Sequence, residues 1–84
     1  MGNTVTQNDI DKLMEQAEIE VATVFDKCTV VIARLANGFV ITESSACVDP
    51  ANYDAALGQA ICIERIKNKL WELEGYCLQK SLHK

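Results

Sequence analysis

Hydrophobic residues recur along the chain first at a helical spacing and then at a strand spacing. Ile10, Leu13, Met14 and Ala17 follow steps of three and four, which put apolar side chains on one face of a helix. Val5-Thr6-Gln7-Asn8-Asp9-Ile10 supplies its start, with Thr6 as N-cap, Asp9 as the reciprocal acid, and Val5 and Ile10 placed for a hydrophobic staple. The spacing predicts a helix over residues 7–19, with Asp11, Lys12, Glu15 and Gln16 on its solvated face. From Val21 onward β-branched and aromatic residues take over, and Thr23-Val24-Phe25 runs into an Asp26-Lys27 turn. The run from Cys28 to Leu35 is strand-like by composition, and Asn37-Gly38 is the dipeptide that favours positive φ at both centres of a type I′ turn. The expectation is a hairpin of strands 28–35 and 39–46.

With Asn37 and Gly38 as a two-residue loop, Ala36 faces Phe39, Arg34 faces Ile41, Ile32 faces Glu43 and Cys28 faces Cys47. Neither face is then cleanly polar. A two-stranded hairpin is barely stable alone, and one that is apolar on both faces needs cover on both. One cover is the chain's own C-terminal helix, and the other is a second subunit. The stretch SACVDPANYD, residues 45–54, ends the hairpin and opens that helix. Asp49 is the expected N-cap, and Pro50 suits the first helical position because the N–H it lacks has no partner there. Leu57, Ile61, Ile66, Leu70, Leu73 and Cys77 follow mostly helical steps, predicting a helical region over 50–79, with Gly75 leaving open whether it is one continuous helix or is bent or broken there. The expected fold is a single small α+β domain over residues 1–84: an N-terminal helix, an antiparallel β-hairpin and a long C-terminal helix packed on the sheet, completed by oligomerisation.

Length and charge narrow the function. A chain of 84 residues buries a modest share of its surface, which again favours a homo-oligomer. A net charge of −4 argues against duplex nucleic acid as a partner, because that affinity rests on Lys and Arg neutralising phosphates. The longest apolar stretch, Thr29 to Ile41, is interrupted by Arg34 and by Asn37-Gly38 and is shorter than the ~20 residues of a membrane span. No membrane partner is expected. The N-terminus has neither the basic region nor the apolar core of a signal peptide, although Gly2 and Thr6 satisfy the N-myristoylation pattern. Cys28, Cys47, Cys62 and Cys77 are 19, 15 and 15 residues apart, so no CxxC pair exists to seed a zinc site, and the thiols are expected to stay reduced. No metal or cofactor is expected.

Catalysis lacks its parts. His83, the only histidine, is the penultimate residue, which leaves the cysteines without a credible base. Capping accounts for Asp49, and a solvated strand end accounts for Glu43. The chain is expected not to be an enzyme, with no catalytic residues. Binding is better supplied. Arg65 and Lys69 stand one helical turn apart and either grip phosphates or form an exposed stripe with Glu64 and Glu72. Arg34 is a permanent charge amid Val30, Ile32, Phe39 and Ile41, either functional or with its stem lying along apolar surface. Phe39 and Tyr53 can stack on a nucleobase or pack in the core.

The combined runs Asn37-Gly38-Phe39, Ser45 to Asp54, Leu57-Gly58 and Trp71-Glu72-Leu73-Glu74-Gly75-Tyr76 resemble the phage protein family named after gene 49 of an N4-type phage and gene 66 of an Sf6-type phage. The resemblance covers about Lys27 to Leu82. It implies a small accessory protein of a tailed phage, made in the bacterial host cytoplasm. More loosely, a hairpin followed by a long helix is similar to the phage anti-Thoeris proteins, which sequester cyclic ADP-ribose-type immune signals in oligomer pockets. That likeness implies Phe39 on the adenine and Arg65 and Lys69 on phosphates; Arg34, Asn52 and Tyr53 complete the expected ligand-binding residues. Two functions follow as expectations. One is a sponge for a cyclic nucleotide or cyclic ADP-ribose-type signal, and the other is an inhibitor or adaptor of a host protein.

Overall fold

The structure, a computed structural model, describes residues 3–83. Gly2, and with it the myristoylation pattern, lies outside them. Helix α1 spans Gln7–Gln16 and begins as its sequence dictates. The Thr6 N–H donates to Asp9 Oδ2 at 2.9 Å, and the Asp9 N–H donates to Thr6 Oγ1 at 3.2 Å, completing the capping box. Ile10 is fully buried, with Val5 packed against the same core.

The helix stops three residues before the expected Ile19, because Glu18–Val24 forms a strand, β1. Its β-branched residues Ile19, Val21, Thr23 and Val24 favour extended backbone. All seven of its positions pair with β2, Cys28–Arg34, in an antiparallel ladder running from Glu18 opposite Arg34 to Val24 opposite Cys28. Strand β3, Val40–Ala46, lies on the other side of β2, giving a three-stranded sheet in the order β1-β2-β3. The fold is therefore α+β with a sheet one strand larger than the predicted hairpin.

Neither turn has the form expected of it: the first centres on Phe25-Asp26 rather than Asp26-Lys27, and the second is a residue longer than Asn37-Gly38 alone. Phe25 and Asp26 both take positive φ, +54° and +56°, so the β1–β2 connection has the type I′ form without a glycine. In the β2–β3 connection only Gly38 has positive φ, +92°; the Gly38 N–H donates to the Leu35 carbonyl, and the Leu35 N–H donates to the Phe39 carbonyl at 2.8 Å. That is a three-residue loop, Ala36-Asn37-Gly38, of the turn-plus-bulge kind. The register moves by one residue from the expected pairing: Arg34 faces Val40 rather than Ile41, Ile32 faces Thr42 rather than Glu43, and Cys28 faces Ala46 rather than Cys47. A slip of one turns every β3 side chain to the opposite face. The observed register buries Ile41 to 4% exposure beside Val31 and Ala33, and full burial of such a side chain contributes about 2 kcal/mol.

Helix α2, Ala55–Leu82, lies across the inner face of β2 and β3 and runs unbroken through Gly75. Its buried face is Gly58, Cys62, Ile66 and Leu70. The predicted stripe is thus corrected by part of a turn: Ile66 and Leu70 hold, but Leu57 is 59% exposed and Cys77 is on the surface. Asp49 also has a different role, capping a single 3-10 turn, Pro50–Asn52, while Asp54 caps α2. At about 1.5 Å per residue, α2 is roughly 42 Å long against about 23 Å for a seven-residue strand. The chain is correspondingly elongated, with extents of 53 × 20 × 19 Å, and α1 packs along α2 where it overhangs the sheet.

Candidate functional site

The segment between β3 and α2 is built from two consecutive caps. Asp49 Oδ1 accepts from the Ala51 N–H at 2.9 Å, and Asp54 Oδ1 accepts from the Leu57 N–H at 3.1 Å. Tyr53 stands between them and is held over the sheet. Its hydroxyl is 2.6 Å from Thr29 Oγ1 and 2.9 Å from Thr23 Oγ1, forming a hydroxyl chain that joins the start of α2 to β2 and β1. Thr29 is fully buried, and α2 reaches it only because Gly58 has no side chain. A Cβ at Gly58 would lie 2.3 Å from Thr29 Oγ1 and 2.9 Å from Thr29 Cβ. Thr23 and Thr29 carried no sequence signal as partners of Tyr53, because the contact spans 30 and 24 residues.

Beside this latch is a cleft of about 170 Å³ whose walls include Ser45, Cys47, Asn52, Tyr53, Leu57 and Ile61. Arg65 lies one helical turn beyond Ile61. Its Nη1 donates to the carbonyl of Ser44 at 2.8 Å, which holds the guanidinium against strand β3, next in sequence to the cleft-lining Ser45. Among the described residues no carboxylate lies within ion-pair distance of Arg65. Lys69 differs: its Nζ is 2.5 Å from Glu43 Oε2, and the Glu43 side chain is only 14% exposed. The expected cation pair is therefore one free guanidinium and one lysine already paired with a carboxylate from the strand beneath it.

The other predicted residues lie elsewhere in the single chain. Arg34 is on the outer face of the sheet, away from α2, with its Nη2 2.6 Å from Glu18 Oε1. That carboxylate holds the guanidinium's pKa above its ordinary value, first by the hydrogen bond and then by charge. Phe39 is half exposed in the hairpin turn, five strand residues or about 16 Å along β3 from Ser44. Asn52 and Tyr53 thus line the cleft, Arg65 stands one helical turn beyond its Ile61 wall, and Arg34 and Phe39 do not reach it within one chain.

The four cysteines are free thiols. The Cys47 N–H donates to the Lys27 carbonyl at 2.9 Å, and burial pushes the Cys62 thiol above its ordinary pKa. Among the described residues, no three of His, Cys, Asp and Glu come together as a metal site would require. None of the described helices is long and apolar enough to cross a membrane.

Fold and latch together define a two-layer α+β domain, in which a long helix is fastened to a three-stranded antiparallel sheet beside a small cleft. The family of phage proteins described as N4 Gp49/phage Sf6 gene 66 matches residues 5–82, nearly the whole chain, and the protein belongs to that family. No curated protein and no solved structure matches the chain.

Proposed function

We propose that the protein is a non-enzymatic phage counter-defence protein that binds and sequesters a cyclic-nucleotide or cyclic ADP-ribose-type immune signal in the host cytoplasm. The observation that carries this reading is Arg65. It is a guanidinium held against β3, one helical turn beyond the Ile61 wall of the cleft, with a backbone carbonyl and no carboxylate as its partner among the described residues, on a protein whose net charge is −4. Such a group offers a phosphate a two-pronged, charge-assisted contact. Asn52 supplies amide donors and an acceptor in the same cleft, and Tyr53 contributes its ring. Lys69 joins the phosphate only by leaving Glu43, so Arg65 carries most of the grip.

A volume of about 170 Å³ is below the roughly 300–1,000 Å³ of ordinary ligand sites. The pocket therefore draws a further wall from a second subunit, which is also how Phe39 reaches the ligand. Calorimetric titration with cyclic ADP-ribose isomers and cyclic dinucleotides tests this. Wild type binds, and Arg65→Ala loses on the order of 2 kcal/mol, about thirtyfold in affinity, with its circular dichroism unchanged. No binding by wild type at millimolar concentration contradicts the function, and undiminished affinity in Arg65→Ala contradicts the site.

One feature favours the alternative, inhibition or adaptation of a host protein. Phe25 is 84% exposed and held at positive φ, a backbone state that costs a bulky residue on the order of 1 kcal/mol or more. Retention of host proteins by wild type but not by Phe25→Ser would support that function.

A further inference from the structure

The two edges of the sheet are unequally protected. On β3, Arg65 occupies a backbone acceptor at Ser44, and α2 covers the strand's inner face. β1 has neither protection. Its inner-face residues Ile19 and Val21 are 36% and 45% exposed, whereas Val31 and Ala33 beside them on β2 are fully buried. Seven residues of β1 run without proline, glycine or lysine, and every position pairs regularly with β2, so the opposite edge presents unpaired backbone donors and acceptors.

We infer that this edge pairs antiparallel with β1 of a second copy of the chain, about a two-fold axis through Val21. The sequence Glu-Ile-Glu-Val-Ala-Thr-Val is self-complementary in that register. Glu18 meets Val24, Ile19 meets Thr23, Glu20 meets Ala22, and Val21 meets itself. No carboxylate opposes another, although like charges directly opposed across strands would be unfavourable. Even and odd residues each meet their own kind, so inner faces stay inner, with Val21 packed on its counterpart and Ile19 on the diagonal beside it. The product is a six-stranded sheet carrying both α2 helices on one side. With strands about 4.8 Å apart, the helices stand roughly 19 Å from each other, which leaves room between them without a clash. The inference stands apart from the nucleotide reading, since Arg65 projects from α2 toward β3 and not toward the two-fold axis.

Opposed strand residues stand about 4.5–5.5 Å apart between Cα atoms, within disulfide range. Mild oxidation of Val21→Cys in a Cys77→Ser background therefore gives a covalent dimer cross-linked at position 21. Ile32→Cys, on the outer face, does not cross-link above the background. Val21→Lys places two ammonium groups across the axis and weakens association at least tenfold by analytical ultracentrifugation, while circular dichroism stays unchanged. A wild-type monomer of 9.3 kDa at high micromolar concentration overturns the inference. So does a dimer that cross-links through Ile32→Cys in preference to Val21→Cys, which would place the contact on the sheet's face.

Discussion

At Gly58 one absent methyl group decides how near α2 comes to the sheet. Alanine there would gain about 1 kcal/mol of helix propensity, but its Cβ would fall 2.3 Å from Thr29 Oγ1. Thr29 is not free to give way, because its hydroxyl is bonded to Tyr53. Gly58→Ala should therefore lose about 2 kcal/mol net in urea denaturation. Gly75 has nothing within 4 Å of the equivalent position, and Gly75→Ala should gain about 0.5–1 kcal/mol in the same experiment. Equal effects at the two glycines would contradict the role given to the first. Tyr53→Phe leaves the buried Thr29 hydroxyl without its phenol partner, and the expected loss is about 1–2 kcal/mol.

Among the elements, α1 and the core strand β2 were legible because their signals are local: a capping box in one case, a run of β-branched residues in the other. The β2–β3 register was not. Asn-Gly favours two loop residues, but tertiary packing selected three, which put Ile41 inside and Glu43 within reach of Lys69. Ile41→Ser should accordingly destabilise by about 3 kcal/mol and Val40→Ser by less than about 1 kcal/mol. The reverse order would restore the two-residue loop. β1 was obscured for a related reason, since Val21 follows Ala17 at a helical step of four and only the pairing with β2 declares the segment a strand. In the candidate site Asn52, Tyr53 and Arg65 could be named from sequence, whereas their partners Thr23, Thr29 and the Ser44 carbonyl come from strands far away in the chain.

The N-terminus of α1 should also respond to acid. The Thr6 backbone N–H, and then its hydroxyl, hold the Asp9 carboxyl below the ordinary carboxylate range. Its folded-state pKa is thus lower than its unfolded one. The stabilisation is complete above the unfolded value, near pH 4, and is lost as pH falls through the folded value. Amide exchange at Ile10 should rise below roughly pH 4 in wild type, relative to its intrinsic rate, and be flat over that range in Asp9→Asn.

For the whole molecule, thiol labelling reports whether the layers are assembled as described. Cys77 is exposed, Cys28 and Cys47 are half-buried, and Cys62 sits on the buried face of α2, against the sheet, where burial pushes its thiol up. Alkylation of the native protein should label Cys77 first and Cys62 last, with four labels after denaturation. Early reaction of Cys62 would mean that α2 does not stay on the sheet. Elongation points the same way as the open β1 edge: the radius of gyration is 15.2 Å against roughly 12 Å for a compact domain of this length.

Sequestration without turnover is the central functional claim, and depletion by mass spectrometry tests it most directly. The protein is mixed with a cyclic ADP-ribose-type or cyclic dinucleotide signal, and free ligand is followed as protein is added. Free signal should fall in proportion to binding sites and then stop, and denaturing the protein should return the same molecule intact, with Arg65→Ala depleting far less. Loss of signal that continues past the number of sites, recovery of a converted product, or no depletion at all would contradict the account.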